Sequence, residues 1–406
     1  MKNRKHELDW LRVIAFGLLI FYHIGMLFVA DWGYHYKSQY TSEFLQNIML
    51  LVNRWRLPLL FLISGIAIRF LLAKVSIFRL LWMRNIRLLI PLAFGVLVIV
   101  PPQLYIEMVF KGDLHDTSYW QFYQAFFDLE HPIFEKYQSG ILPHIDVNHL
   151  WYIRELWWFS IILVIVSPLL NMKWVASSIS WLGNSTAITI LLLPALILAL
   201  LAFTIFPEDN EGTRIARSFS FLLLGYIIGW NQDFWTNIKK HRRVFLIFSI
   251  LTYAVLIWYY QQVLLTRQTP LSGWMLVMEL CFSYFNRWSW LLMILAYGSR
   301  YLNHPSSLLN YLNEAVYPYY ILHQTILIIA AFLVSKYTLG TIIEPLLIIF
   351  ITFAGCMICF EVIKKFMVTR LLFGLKVSLK LNKYQVVFAY IIGAVLTLPL
   401  AYLIIL

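Results

Sequence analysis

The chain has 406 residues, 61% of them hydrophobic and 13% charged, with a mean hydropathy of +0.73. That mixture excludes a soluble globular domain and places the chain among polytopic membrane proteins. The formal net charge of +12 does not make a nucleic-acid binder, because no soluble basic module interleaved with exposed aromatics is present.

Taken in chain order, apolar runs predict spans at 8–29, 48–73, 87–109, 150–171, 186–206, 215–235, 244–264, 273–297, 314–335, 343–366 and 384–406. Each approaches the ~20 helical residues needed to cross ~30 Å of hydrocarbon. Blocks such as LLIPLAFGVLVIV are apolar all round, whereas a transmembrane barrel would alternate over ~10 residues. The predicted class is therefore an all-α transmembrane helix bundle of about 10–11 spans. Residues 1–366 form its ten-helix core, 367–383 a basic cytoplasmic linker, and 384–406 an additional helix.

Lys and Arg collect in alternate connections, at 2–5, 74–87, 239–243 and 364–383, and are sparse in the others. This is the positive-inside pattern, and it puts the N-terminus in the cytoplasm. Two segments expected outside, 30–47 and 110–149, are rich in Trp, Tyr, Phe, Asp and His. That composition suits an interfacial belt or a sugar-contacting surface equally. His131, His144, Asp146 and His149 lie there, but their spacing matches no zinc pattern, and no metal is expected. Cys281, Cys356 and Cys359 fall inside apolar spans and give no disulfide framework. Ser64 in LISG lacks the G-x-S-x-G context of a nucleophile, so its SG pair reads as close helix packing.

The first span, LDWLRVIAFGLLIFYHIGML, carries two residues that hydrocarbon penalises, Arg12 and His23. Eleven residues at 100° each bring both onto one helix face, with His23 about 16 Å further along the axis. Asp9 lies one turn before Arg12 and is placed to pair with it. A snorkelling anchor would explain Arg12 alone, and a helix-packing imidazole would explain His23 alone.

Their company elsewhere is more specific. Arg12 and His23 within LDWLRVIAFGLLIFYH, LPLLFLISG at 57–65, Arg84 and Arg87 in MRNIRLLIPLAFG, the His149-Leu150-Trp151 triplet, and Tyr317, Tyr320 and His323 in VYPYYILHQ follow one another along the chain. In this order they resemble the integral-membrane acyltransferase family 3, whose members O-acylate sugars and other acceptors at bacterial surfaces. The pattern is most similar to the glucan-modifying branch, the succinyltransferases of periplasmic glucans. Many peptidoglycan- and lipopolysaccharide-modifying members carry an acidic run after HLW. This chain reads IRELWWFS there, with Glu155 in the acidic place.

The resemblance implies an O-acyltransferase of the bacterial inner membrane. It would draw on a cytoplasmic acyl-CoA-type thioester as donor substrate, with no bound cofactor, and act on an extracytoplasmic glycan acceptor. His23 then suits the general base, with Arg12 beside it in the catalytic set. Arg84, Arg87 and Arg79 suit docking of the donor's phosphates. Asp9, His149, Trp151, Glu155, Tyr320 and His323 are expected to contact the acceptor or to orient His23. A transporter or flippase for a glycan or lipid-linked saccharide would use the same helices and buried ions, and it differs in leaving no ester on its substrate.

Overall fold

The computed structural model describes residues 5–114, 116–205, 211–267, 271 and 273–376. The span expected at 384–406 and the end of the basic linker lie outside these residues. Among the described residues, regular structure is helical, with two isolated bridges pairing Val29 with Ser42 and Leu142 with Ile145.

The helices, in chain order, are α1 (His6–Phe28), α2 (Phe44–Leu72), α3 (Ile77–Lys111), α4 (Tyr119–Ala125), α5 (Trp151–Leu170), α6 (Lys173–Gly183) and α7 (Ala187–Ile205). They continue with α8 (Glu211–Ile228), α9 (Gln232–Lys240), α10 (Arg242–Tyr259), α11 (Gly273–Tyr301), α12 (Ser307–Val334), α13 (Gly340–Ile363) and α14 (Met367–Leu372). Eight helices among the described residues are long and apolar enough to cross a membrane: α1, α2, α3, α5, α7, α10, α12 and α13. The protein is thus an all-α multi-pass membrane protein.

Expected spans 215–235 and 273–297 are also helical, as α8 and α11, but are not among these eight. The helix predicted to run to 235 stops at Ile228. Asn231 accepts a hydrogen bond from the Phe234 amide and caps a new helix, an N-cap signal that outweighs the apolar run.

Contacts divide the chain into two compact units, residues 5–18, 47–77 and 161–309, and residues 19–46, 78–160 and 310–376. In the first unit, α2 and α8 approach backbone to backbone. A side chain at Gly65 would run into the Leu222 carbonyl, and one at Gly225 into that of Leu62. Small residues at such a crossing let van der Waals packing hold two helices where lipid supplies no hydrophobic drive. The SG of LISG therefore serves packing, as its sequence indicates. Trp288 Nε1 donates to the Ile190 carbonyl at 2.8 Å, tying α11 to α7.

The second unit packs the C-terminal half of α1 against α12 and α13 through Ile24, Leu27, Leu327, Ala331 and Ile348. Its long connection, 112–147, has a small core of its own. Ser118 and Gln121 form a capping box that starts α4, and Phe122, Phe126 and Phe134 are fully buried. His144 stacks on Phe134 with ring centroids 3.7 Å apart. Trp120 and Phe127 stay exposed, so the aromatics of this segment divide between an interior and a surface.

Helix α3 is irregular because of its prolines. It contains π turns at Asn85–Leu89 and Gly95–Ile99, flanked by Pro91 and by Pro101 and Pro102. Pro101 and Pro102 remove the N–H groups four and five residues beyond the Leu97 carbonyl, and the Tyr123 hydroxyl donates to that oxygen at 3.0 Å. Pro91 likewise gives nothing to the Arg87 carbonyl, which accepts from the Tyr317 hydroxyl at 3.0 Å. The Ile99 carbonyl accepts from Thr325 Oγ1 at 2.6 Å. Each interruption of α3 is thus answered by a hydroxyl from another segment, as apolar surroundings require.

Candidate functional site

The site lies in the second unit, where α1, α3, α12 and the turn before α5 bring the motif side chains His23, His149, Tyr320 and His323 together with Gln103, Gln324, Thr325, Asn148 and His35, which the sequence did not mark. His23 Nδ1 and His323 Nε2 are 2.8 Å apart, and the rings lie nearly parallel with centroids 5.0 Å apart. His323 is fully buried, and its Nδ1 sits 2.7 Å from the Tyr320 carbonyl and 3.2 Å from that of Tyr319. A carbonyl can only accept, so Nδ1 of His323 carries the proton and its Nε2 offers a lone pair. His23 then donates from Nδ1, which leaves Nε2 as the basic nitrogen of its ring.

His149 stands edge-on to His323, with ring centroids 5.3 Å apart. Its Nε2 donates to the Ile321 carbonyl at 3.0 Å, so its Nδ1 accepts from Gln103 Nε2 at 3.3 Å. Gln103, fully buried on α3, also donates to Thr325 Oγ1 at 2.7 Å and accepts from Gln324 Nε2 at 3.1 Å. Gln324 in turn donates to Asn148 Oδ1 at 3.1 Å, and that oxygen also accepts from His35 Nε2 at 3.2 Å. Tyr320 donates its hydroxyl to the His149 carbonyl. Asn148 has φ +46°, a left-handed conformation that Asn tolerates better than most side chains.

At the opposite end of α3, Arg84 is half-buried while Arg87 and Arg79 are exposed. Arg87 Nε donates to the Gly374 carbonyl at 3.2 Å, and Tyr152 and Tyr317 lie within electrostatic range of Arg84. Gly374 has φ +65°, and a side chain there would strike the Tyr317 ring. In the first unit, Arg12 Nη2 donates to Asp9 Oδ1 at 3.1 Å, the pairing expected from their spacing.

Of the other expected residues, Glu155 is fully buried on α5 and Trp151 is half-buried at its start. His149, Tyr320 and His323 are at most 5% exposed. His131 caps a short turn by accepting from the Ile133 amide, and His144 Nε2 donates to the Phe126 carbonyl at 2.8 Å. Among the described residues no three metal-capable side chains converge.

His35, Glu107 and Asn148 were not marked by the sequence. They line a cavity of about 360 Å³ together with Lys111, Lys136, Tyr137, His144 and Asp146. Glu107 pairs with both His35 and Lys111, and Lys136 with Asp113. No motif joins these residues, since they come from separate segments whose composition is ordinary for a polar connection.

A multi-pass helical protein that holds a hydrogen-bonded imidazole pair among its helices carries groups of the kind that acid–base chemistry uses. The acyltransferase domain that defines acyltransferase family 3 matches residues 5–361, and the chain belongs to this family. It is a multi-pass membrane acyltransferase of the O-acyltransferase type. No curated protein and no solved structure matches it.

Proposed function

We propose that this enzyme transfers an acyl group from an acyl-CoA-type thioester, offered at the face that carries Arg84 and Arg87, to a hydroxyl of a glycan on the opposite side of a bacterial inner membrane. The observation that carries the reading is the 2.8 Å contact of His23 with a His323 whose proton is fixed by a backbone carbonyl.

In this reading the acceptor hydroxyl gives its proton to His23 Nε2 as its oxygen attacks the thioester carbonyl. A C–O bond forms, the C–S bond breaks, and the thiolate takes the proton back from His23. Atoms balance as alcohol plus thioester to ester plus thiol, with no cofactor. His323 accepts the His23 Nδ1–H throughout and so steadies the imidazolium that forms, a part a neutral acceptor plays without being protonated itself. Arg84 and Arg87 supply planar cationic forks for phosphate, and Arg79 adds exposed charge nearby. Arg12, braced by Asp9, shares the helix with His23 and orients groups along that face. Trp151 and Glu155 support the start of α5. The similarity of the sequence to the glucan-modifying branch makes a periplasmic glucan the leading acceptor class.

The test is mass spectrometry of esters on surface and periplasmic glycans from cells with wild-type or variant enzyme at matched amounts. His23→Gln keeps polarity but cannot take a proton, and ester should fall ~10²-fold or more. Near-normal ester in this variant would return His23 to helix packing. Unmodified but displaced glycan in wild type would favour transport instead.

A further inference from the structure

The residues expected to meet the acceptor are mostly buried and already bonded to one another, which leaves open where a glycan would sit. The cavity of about 360 Å³ is the alternative. Its size falls at the lower end for ligand pockets, enough for a single sugar-sized unit.

Two routes connect its wall to the histidine pair. His35 packs edge-on against Tyr34 with centroids 5.3 Å apart, and Tyr34 in turn faces His23 at 6.4 Å. Asn148 bonds Gln324, the residue after His323. The Tyr34 hydroxyl oxygen is buried without a hydrogen-bond partner among the described residues, although Tyr34 does not itself line the cavity. Buried polar atoms are normally satisfied, and this one sits on the ring that touches both His35 and His23. Burial also pushes the Tyr34 phenol well above its ordinary value, keeping it a donor.

The lining is almost charge-balanced. Lys111 is paired with Glu107 and Lys136 with Asp113, while Asp146 accepts from the Val147 amide. The carboxylates Glu107 and Asp146 and the ammonium groups Lys111 and Lys136 in the lining are equal in number, so together they offer a charged ligand no excess of either sign. A polyhydroxylated neutral one would meet acceptors at Glu107 and Asp146, the amide donor of Asn148, and apolar surface at Phe126 and Leu104.

We propose that this cavity is the acceptor pocket and that it takes one neutral hexose unit of the glycan, with Glu107 and Asn148 reading its hydroxyls and His35 holding those two side chains in place. The proposal rests on the acyl-transfer reading above.

The experiment uses full-length enzyme in nanodiscs with an acyl-CoA panel and neutral glucose oligosaccharides as acceptors. Glu107→Gln conserves volume and removes the charge. The acceptor KM should rise at least about tenfold, roughly 1.4 kcal/mol, with the donor KM unchanged. A second variant, Ser139→Cys at the exposed rim, is compared before and after labelling with a bulky impermeant maleimide. Labelling should abolish transfer to sugar while slow hydrolysis of the donor thioester persists. Labelled wild type controls for Cys281, Cys356 and Cys359. Ester formation with an acceptor KM indifferent to both changes would overturn the pocket and leave the acyltransferase reading standing, as would preference for an acidic oligosaccharide. Absence of ester with every neutral acceptor, despite donor hydrolysis, would overturn the glycan reading and the pocket together.

Discussion

His144 shows how one ring can carry a pH dependence. It lies flat on Phe134, its Nε2 donates to the Phe126 carbonyl, and its Nδ1 is buried without a partner among the described residues. Burial therefore lowers its pKa below the usual 6.5. With the folded value below the unfolded one, the unfolded chain binds more protons in the window beneath pH 6.5. Stability contributed by His144 is complete above 6.5 and is lost as pH falls toward the folded value. Proteolysis or hydrogen exchange of segment 112–147 should thus quicken between pH 7 and 5. In His144→Phe that acid sensitivity should flatten, at a cost of about 1 kcal/mol for the lost hydrogen bond. Equal pH slopes in both proteins would remove the role assigned to this ring.

Among the helices, α3 has the most to explain, and Thr325 is where its irregularity meets the site. Its hydroxyl gives a hydrogen to the Ile99 carbonyl and accepts one from Gln103. Thr325→Val keeps the shape but strands both partners in an apolar interior, which costs about 1–3 kcal/mol. It should lower the melting temperature in detergent. It should also reduce kcat, because Gln103 then holds His149 less firmly; an unchanged kcat at lower stability would confine Thr325 to structure. Such a link was invisible in the sequence. The prolines of LIPLAFG and VPPQ announce interruptions, but which hydroxyl answers each is decided by residues up to 230 positions away. The histidines were legible one by one through their motifs. Their pairing was not, since His23 and His323 stand 300 residues apart in the chain.

For the molecule as a whole, periodicity and charge were enough to reveal an all-helical membrane protein, because hydrocarbon leaves the backbone few other options. Where the apolar signal was diluted, as at Gln232–Lys240, local capping chemistry drew the boundary instead. The alternation of basic and aromatic connections makes a further claim. Cysteines introduced at Ser139 and at Lys240 should react with impermeant reagents from opposite sides, Ser139 from outside. Labelling of both from one side would undo the orientation and, with it, the separation of donor from acceptor. The crossing at Gly65 and Gly225 makes the membrane assembly brittle in a predictable place. Gly65→Val should reduce the folded protein recovered, whereas Gly17→Ala, with open space around it, should not.

Asn148, Gln324 and Gln103 form an unbroken row of carboxamides between His35 at the cavity and His149 beside the histidine pair. Carboxamides align their neighbours but neither take up nor release protons near neutrality. Gln103 cannot turn over either, because reversal would set N–H against N–H and oxygen against a lone pair. The row therefore behaves as an insulator: geometry passes along it and charge does not, so in the proposed transfer a proton lifted from the acceptor would stay on His23 long enough to be handed to the departing sulfur.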